Sequence, residues 1–116
     1  MKLWGKSRKR QGVEYATAAH TLEDPGFWVG WVSYCQDELE AVAEQIGWTP
    51  GVDPSPPLVA QVIPDPKTPR DPDGYRVEIG GLRVGYAPRG RHGQQAGQTA
   101  VVLVKNGRDI IAWAAA

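Results

Sequence analysis

Between Leu58 and Arg89 the chain alternates so regularly between strand signals and turn signals that little besides a small antiparallel β-structure can hold it. Val59, Val62 and Ile63 give a β-branched run, which Pro64, Pro66, Pro69 and Pro72 terminate. Asp73-Gly74 marks a turn. Tyr75, Val77 and Ile79 then alternate with Arg76 and Glu78, the period of a half-buried strand. Gly80-Gly81 supplies two residues that accept positive φ, as a two-residue hairpin requires, and Leu82, Val84 and Tyr86 resume the alternation. The loop between the first two strands is proline-stiffened, polar and displayed, and loops of that kind often carry function.

The flanks extend the β reading. Thr99–Lys105 and Arg108–Trp113 are strand-like runs on either side of Asn106-Gly107, a strong short hairpin signal. Val102 and Val104 are expected to face away from Val101 and Leu103. Phe27–Val32 reads as a short buried strand, and Val13–Leu22 alternates weakly enough to be a further one. The clear helix lies near 34–46. Ser33 and Gln36 form a capping-box pattern, and Asp37 and Glu38 suit the first turn. Leu39, Val42, Ala43 and Ile46 share one face, and Gly47 stops the helix. Residues 48–57, with Pro50, Pro54, Pro56 and Pro57, form a loop, and Arg89–Gln98 reads as a glycine-rich flexible one. The expected fold is mostly β: an OB-like barrel of six or seven strands with one α-helix, over residues 13–116, preceded by a basic arm at 1–12.

At 116 residues the chain suits one domain with a modest core. Its five tryptophans are expected mainly to fill core and grooves. One cysteine, Cys35, rules out an internal disulfide and fits a reducing, cytoplasmic setting or a simple lack of need for one. The basic start lacks the apolar region of a secretory signal, and no apolar run has the length of a membrane span.

The net charge of zero conceals a segregation. Residues 1–10 hold Lys2, Lys6, Arg8, Lys9 and Arg10 without an acid, whereas residues 11–66 hold acids and no Lys or Arg. Basic residues then outnumber acids from 67 onward. A basic face suits nucleic acid. The other reading is that the basic arm neutralises the acidic helix, or that both contact a partner protein.

Signs of catalysis are lacking. His20 and His92 have no ligand spacing with Cys35, which has no local base. Asp65, Asp71 and Asp73 crowd one loop, but its prolines account for it equally well as a rigid turn. Gly93–Thr99 lacks the lysine and spacing of a phosphate loop. No cofactor or metal is expected, and binding is the function left.

Two segments resemble the HIRAN domain, a small β-barrel module. One is Pro64-Asp-Pro-Lys-Thr-Pro-Arg-Asp-Pro-Asp-Gly-Tyr-Arg-Val77 with Gly81-Leu-Arg-Val-Gly-Tyr-Ala87. They are similar to the family's Pro-Glu-Pro-x-Asn-Pro-Tyr-Asp-x-Asn-Ala-Val-x-Val and Gly-x-x-Val-Gly-Tyr-Leu. The other is Trp31-Val-Ser-Tyr-Cys-Gln-Asp-Glu-Leu39, similar to the family's Val-Gly-Glu-Ser-x-Tyr-Gln-Asp-x-Leu. Residues 89–98 depart from the family, which places a second helix there. The resemblance implies a module for single-stranded DNA or 3′ DNA ends, alone or beside a partner nuclease or helicase. It implies that Asp71 reads a terminal 3′-hydroxyl and Tyr34 stacks on a base. Tyr86, Arg89 and Arg91 would face base or phosphate. Arg70 stands where the family has a stacking tyrosine, and an Arg plane also stacks. The alternative is a protein-interaction or assembly module using the acidic helix and basic arm.

Overall fold

The computed structural model describes residues 12–16, 26–51, 53–65, 74–87 and 97–115. Six strands are present: β1 (Gly26–Trp28), β2 (Leu58–Pro64), β3 (Tyr75–Ile79), β4 (Leu82–Ala87), β5 (Gly97–Asn106) and β6 (Asp109–Ala115). All pair antiparallel in one sheet of order β1-β6-β5-β2-β3-β4. A 3₁₀ turn (Val32–Tyr34) and helix α1 (Gln36–Ile46) lie between β1 and β2. The mostly-β, one-helix, OB-like architecture is therefore the one expected. No helix among the described residues is long and apolar enough to cross a membrane.

The sheet curls into a half-barrel whose two edges meet at one point. β1 pairs with β6 at one edge. Two residues on, Gly30 N–H donates to Tyr86 O (2.8 Å) and Tyr86 N–H donates to Gly30 O (3.0 Å), joining that segment to β4 at the other edge. Gly85 makes this approach possible. A Cβ there would stand 2.3 Å from Val29 Cγ1 and 2.6 Å from Gly30 O.

Alternation sorts the side chains. Leu58, Ala60, Val77, Ile79, Val84, Ala87, Val101, Leu103, Ile110, Ala112 and Ala114 fill the interior, and Phe27 and Val29 join them. Leu39 and Val42 of α1 are fully buried against this cluster, with Ile46 packed at its margin. None of the described tryptophans is fully buried: Trp28 and Trp31 are exposed, and Trp48 and Trp113 are half-buried. Trp48 packs against the core margin, in keeping with the expected core and groove filling, whereas Trp28 and Trp31 do not enter the interior, which is sized for the Ala, Val and Leu that occupy it; Trp4 lies outside the described residues. Trp28 packs edge-on against its cross-strand partner Trp113 on the outer face instead (4.7 Å between centroids). Val102 also lies beside Trp113, opposite in facing to Val101 and Leu103 as the alternation requires.

The hairpins follow turn chemistry. Gly80 (φ 59°) and Gly81 (φ 83°) are both left-handed, as the β3–β4 turn demands. At the last hairpin Asn106 pairs with Asp109, so the turn residues are Gly107 and Arg108, one position later than expected. Gly107 alone has positive φ (64°), so glycine sits first in the turn, as a II′ hairpin requires.

Local expectations are corrected at three further places. Ser33 belongs to the 3₁₀ turn, Cys35 is the N-cap residue of α1, and no side chain caps it. Gln36 pins the helix to β6 instead. Its Nε2 donates to Val32 O and Ile110 O, and its Oε1 accepts from Ile110 N–H, each at 2.9 Å. Phe27–Val32 is a strand only to Trp28, with its residues alternating in and out. Of the expected Val13–Leu22 strand, residues 13–16 are described and bridge to β2 through Tyr15 and Leu58, while residues 17–22 lie outside the described residues. Gly97 and Gln98, read as loop, open β5. The proline-rich loop 48–57, apart from Val52, carries no helix or strand, and Gly47 ends α1 in the left-handed conformation.

Candidate nucleic-acid interface

The seam where the sheet closes is also where outward aromatic and basic side chains gather. Leaving β1, the chain pairs with β4 at Gly30 and turns sharply at Trp31, which has φ 61°. Among the described residues it is the only non-glycine with positive φ, a conformation that costs on the order of 1 kcal/mol. The turn is held by Tyr34 N–H donating to Trp31 O (3.1 Å) and Cys35 N–H donating to Val32 O (2.9 Å). The result is an exposed ring pair. Trp31 and Tyr34 lie 5.5 Å apart between centroids, tilted by 34°, with Trp31 36% and Tyr34 77% exposed.

β4 supplies the other half. In an unbroken strand Arg83 and Tyr86, three residues apart, would point to opposite faces. The register shifts between Val77 and Glu78: Glu78 pairs with Arg83 but Val77 pairs with Gly85. Val84 is the extra residue of this bulge and is buried. The bulge returns Arg83 and Tyr86 to one side, with the guanidinium 5.8 Å from the Tyr86 ring centroid, in cation–π range. Tyr86 in turn is locked by its main-chain pair with Gly30, next to Trp31.

The cations here differ in availability. Arg76, opposite Tyr86 on β3, is held by Glu78 Oε2 at 2.6 Å and faces Asp65 at 3.7 Å. Its pKa is raised, first by the Glu78 hydrogen bond. Arg83 makes no ion pair among the described residues. Its positive charge acts on the buried Cys35 thiol. Burial pushes that thiol's pKa up and Glu38 adds to the rise, while Arg83 opposes it.

Two of the residues expected to bind, Tyr34 and Tyr86, are thus placed on the elements that meet at the seam. Arg70, Asp71, Arg89 and Arg91 lie outside the described residues. Sequence reading missed Trp31 and Arg83. Trp31 looked like part of a buried apolar run, and only its backbone turn exposes it. Arg83 alternated normally, and only the bulge pairs it with Tyr86. Among the described residues no three His, Cys, Asp or Glu side chains cluster as a metal site would need. Compared with known proteins, the chain matches no family model, and no curated protein or solved structure is significantly similar to it.

Proposed function

We propose that the protein is a non-enzymatic nucleic-acid-binding module, with single-stranded DNA or 3′ DNA ends as its ligand. The observation that carries the reading is the exposed Trp31–Tyr34 ring pair at the seam, on the segment that Gly30 ties to Tyr86 and, through it, to Arg83. Small barrels hold single strands by stacking bases on aromatic side chains and tracking phosphates with cations. Tyr34 and Trp31 stack on bases, Tyr86 supports the platform, and Arg83 faces phosphate or base. The resemblance to the HIRAN family adds the end-reading role of Asp71 and the contacts of Arg70, Arg89 and Arg91. A separate nuclease or helicase is the partner class that suits such a module.

Fluorescence anisotropy with 3′-hydroxyl, 3′-phosphate and duplex oligonucleotides tests this. Binding is expected to be micromolar or weaker and to fall as salt rises, because counterions are released from the phosphates. Tyr34→Ala, at a site too exposed to disturb the fold, should cost about 1–3 kcal/mol of affinity. Removing residues 1–10 should weaken all oligonucleotides alike, since basic-arm contacts to phosphate carry no base information. Asp71→Ala should abolish the preference for a 3′-hydroxyl over a 3′-phosphate. A protein that ignores the 3′ end loses the end-reading role. Absence of DNA binding at low salt rejects the proposal in favour of a protein-interaction module.

A further inference from the structure

The acidic face of α1 and the basic tip of the β5–β6 hairpin lie far apart in the sequence but meet across one groove. It is an open groove of about 320 Å³, and Glu40, Glu44, Trp48, Lys105, Arg108 and Ile110 are among its lining residues. The nucleic-acid reading uses none of them. Glu40 and Glu44, four apart on α1, stand side by side on one wall. Lys105, near the end of β5, and Arg108, in the following turn, form the other. All four side chains are exposed, yet no ion pair joins the two walls among the described residues. The charges face a shared space and do not neutralise each other across it.

Two further features set the polarity and the floor of this groove. The helix ends here: Trp48 N–H donates to Ala43 O (3.0 Å) and Gly47 N–H to Glu44 O (3.2 Å). The negative end of the helix dipole therefore adds to the two carboxylates in favouring a cation. The apolar surface comes from Ile110, whose backbone is fixed by Gln36, and from Trp48. The Trp48 indole is held in place by its Nε1–H donating to Asp53 O at 3.1 Å.

We propose that this groove binds a small amino-acid zwitterion. The ammonium group sits on the Glu40–Glu44 wall at the helix terminus. The carboxylate sits on Lys105 and Arg108, where the planar guanidinium can take it in bidentate fashion. An aliphatic side chain lies on Trp48 and Ile110. A ligand with only one of the two charges leaves one wall unmatched, so recognition requires both.

The test uses the full chain and three probes: L-leucine, N-acetyl-L-leucine, which lacks the ammonium, and L-leucinamide, which lacks the carboxylate. The readout is the Trp48 indole N–H resonance in ¹H–¹⁵N spectra at low salt, where charge pairing is least screened. L-Leucine should shift that resonance saturably with a millimolar or tighter Kd, and each single-charge analogue should bind at least about tenfold more weakly. Glu44→Gln and Arg108→Gln change exposed residues and should leave the melting temperature unchanged. Each should lower L-leucine affinity at least about tenfold, and Glu44→Gln should bring L-leucine and N-acetyl-L-leucine closer together. The proposal is overturned if about 20 mM L-leucine, well above a millimolar Kd, leaves the Trp48 resonance in place. It is equally overturned if all three probes shift it alike, because that marks simple apolar adhesion to the indole.

Discussion

Gly85→Ala should loosen the barrel at its seam, and the size of the effect follows from the contacts around that position. A methyl group there would lie 2.3 Å from Val29 Cγ1 and 2.6 Å from Gly30 O. Val29 is buried in the core, and the Gly30 carbonyl accepts the Tyr86 N–H bond. Neither neighbour can swing aside, so the two edges must separate. Overpacking of a tight site costs about 1–3 kcal/mol, and the Gly30–Tyr86 hydrogen bonds are worth about 0.5–1.5 kcal/mol each, giving a loss of about 2–6 kcal/mol. For a domain of this size that corresponds to a fall of about 8–24 °C in melting temperature. Gly30→Ala is the control. Its added methyl meets only Tyr86 O at 3.5 Å, an ordinary contact, so its cost should stay below about 1 kcal/mol. Thermal melts followed by circular dichroism measure both. The same Gly85→Ala protein, assayed below its transition, should bind single-stranded DNA more weakly because Tyr86 and Arg83 move with β4. If Gly85→Ala melts no lower than Gly30→Ala, the seam does not govern stability and the argument fails.

Three other outcomes follow from the packing and the electrostatics. Leu39→Ala should cost about 2–5 kcal/mol in urea unfolding, and Ile46→Ala less, since only Leu39 is fully buried. Gln36→Leu leaves the Ile110 N–H and C=O without their side-chain partner, so it should cost about 1–3 kcal/mol and speed exchange of the Ile110 amide. The Cys35 pKa is raised by burial, so the folded chain keeps a proton that the unfolded chain loses. That contribution to stability is fully present below the free-thiol pKa of about 8.5 and is lost as pH rises above it, so Cys35→Ala should flatten the alkaline arm of a stability–pH curve.

Much of the fold was legible in the sequence because its signals are local. Gly80-Gly81 requires a two-residue turn whatever surrounds it, and the Leu39–Ile46 periodicity needs only a surface to pack against. The errors are places where a distant residue decided between local options. Ser33 and Gln36 have capping-box spacing, yet Gln36 bonds to Ile110, 74 positions away, and this long-range pairing replaces the local box. The Asn106-Gly107 signal located the last hairpin but not its register. Asn106 pairs with Asp109, which moves the turn one residue on. The outward turn of Trp31 was not legible at all, because an apolar run carries no mark of left-handed backbone.

The seam explains why fold and candidate site coincide. Closing the sheet forces one segment to serve both edges, and this close approach requires a residue without a side chain at Gly85. A glycine there sits next to the bulge at Val84, and the bulge is what turns Arg83 to the same side as Tyr86. Across the seam the chain must leave the barrel at once to begin α1. The left-handed turn at Trp31 achieves this, and it throws Trp31 and Tyr34 outward as a pair. The strained residue is retained because its neighbours fix it: Gly30 is bonded to β4, and Gln36 is bonded to β6. Held between two strands that cannot move independently, the aromatic platform is preorganised. A ligand that stacks on it does not have to order the backbone beneath, and that saving in conformational entropy favours binding by a surface as small as this one.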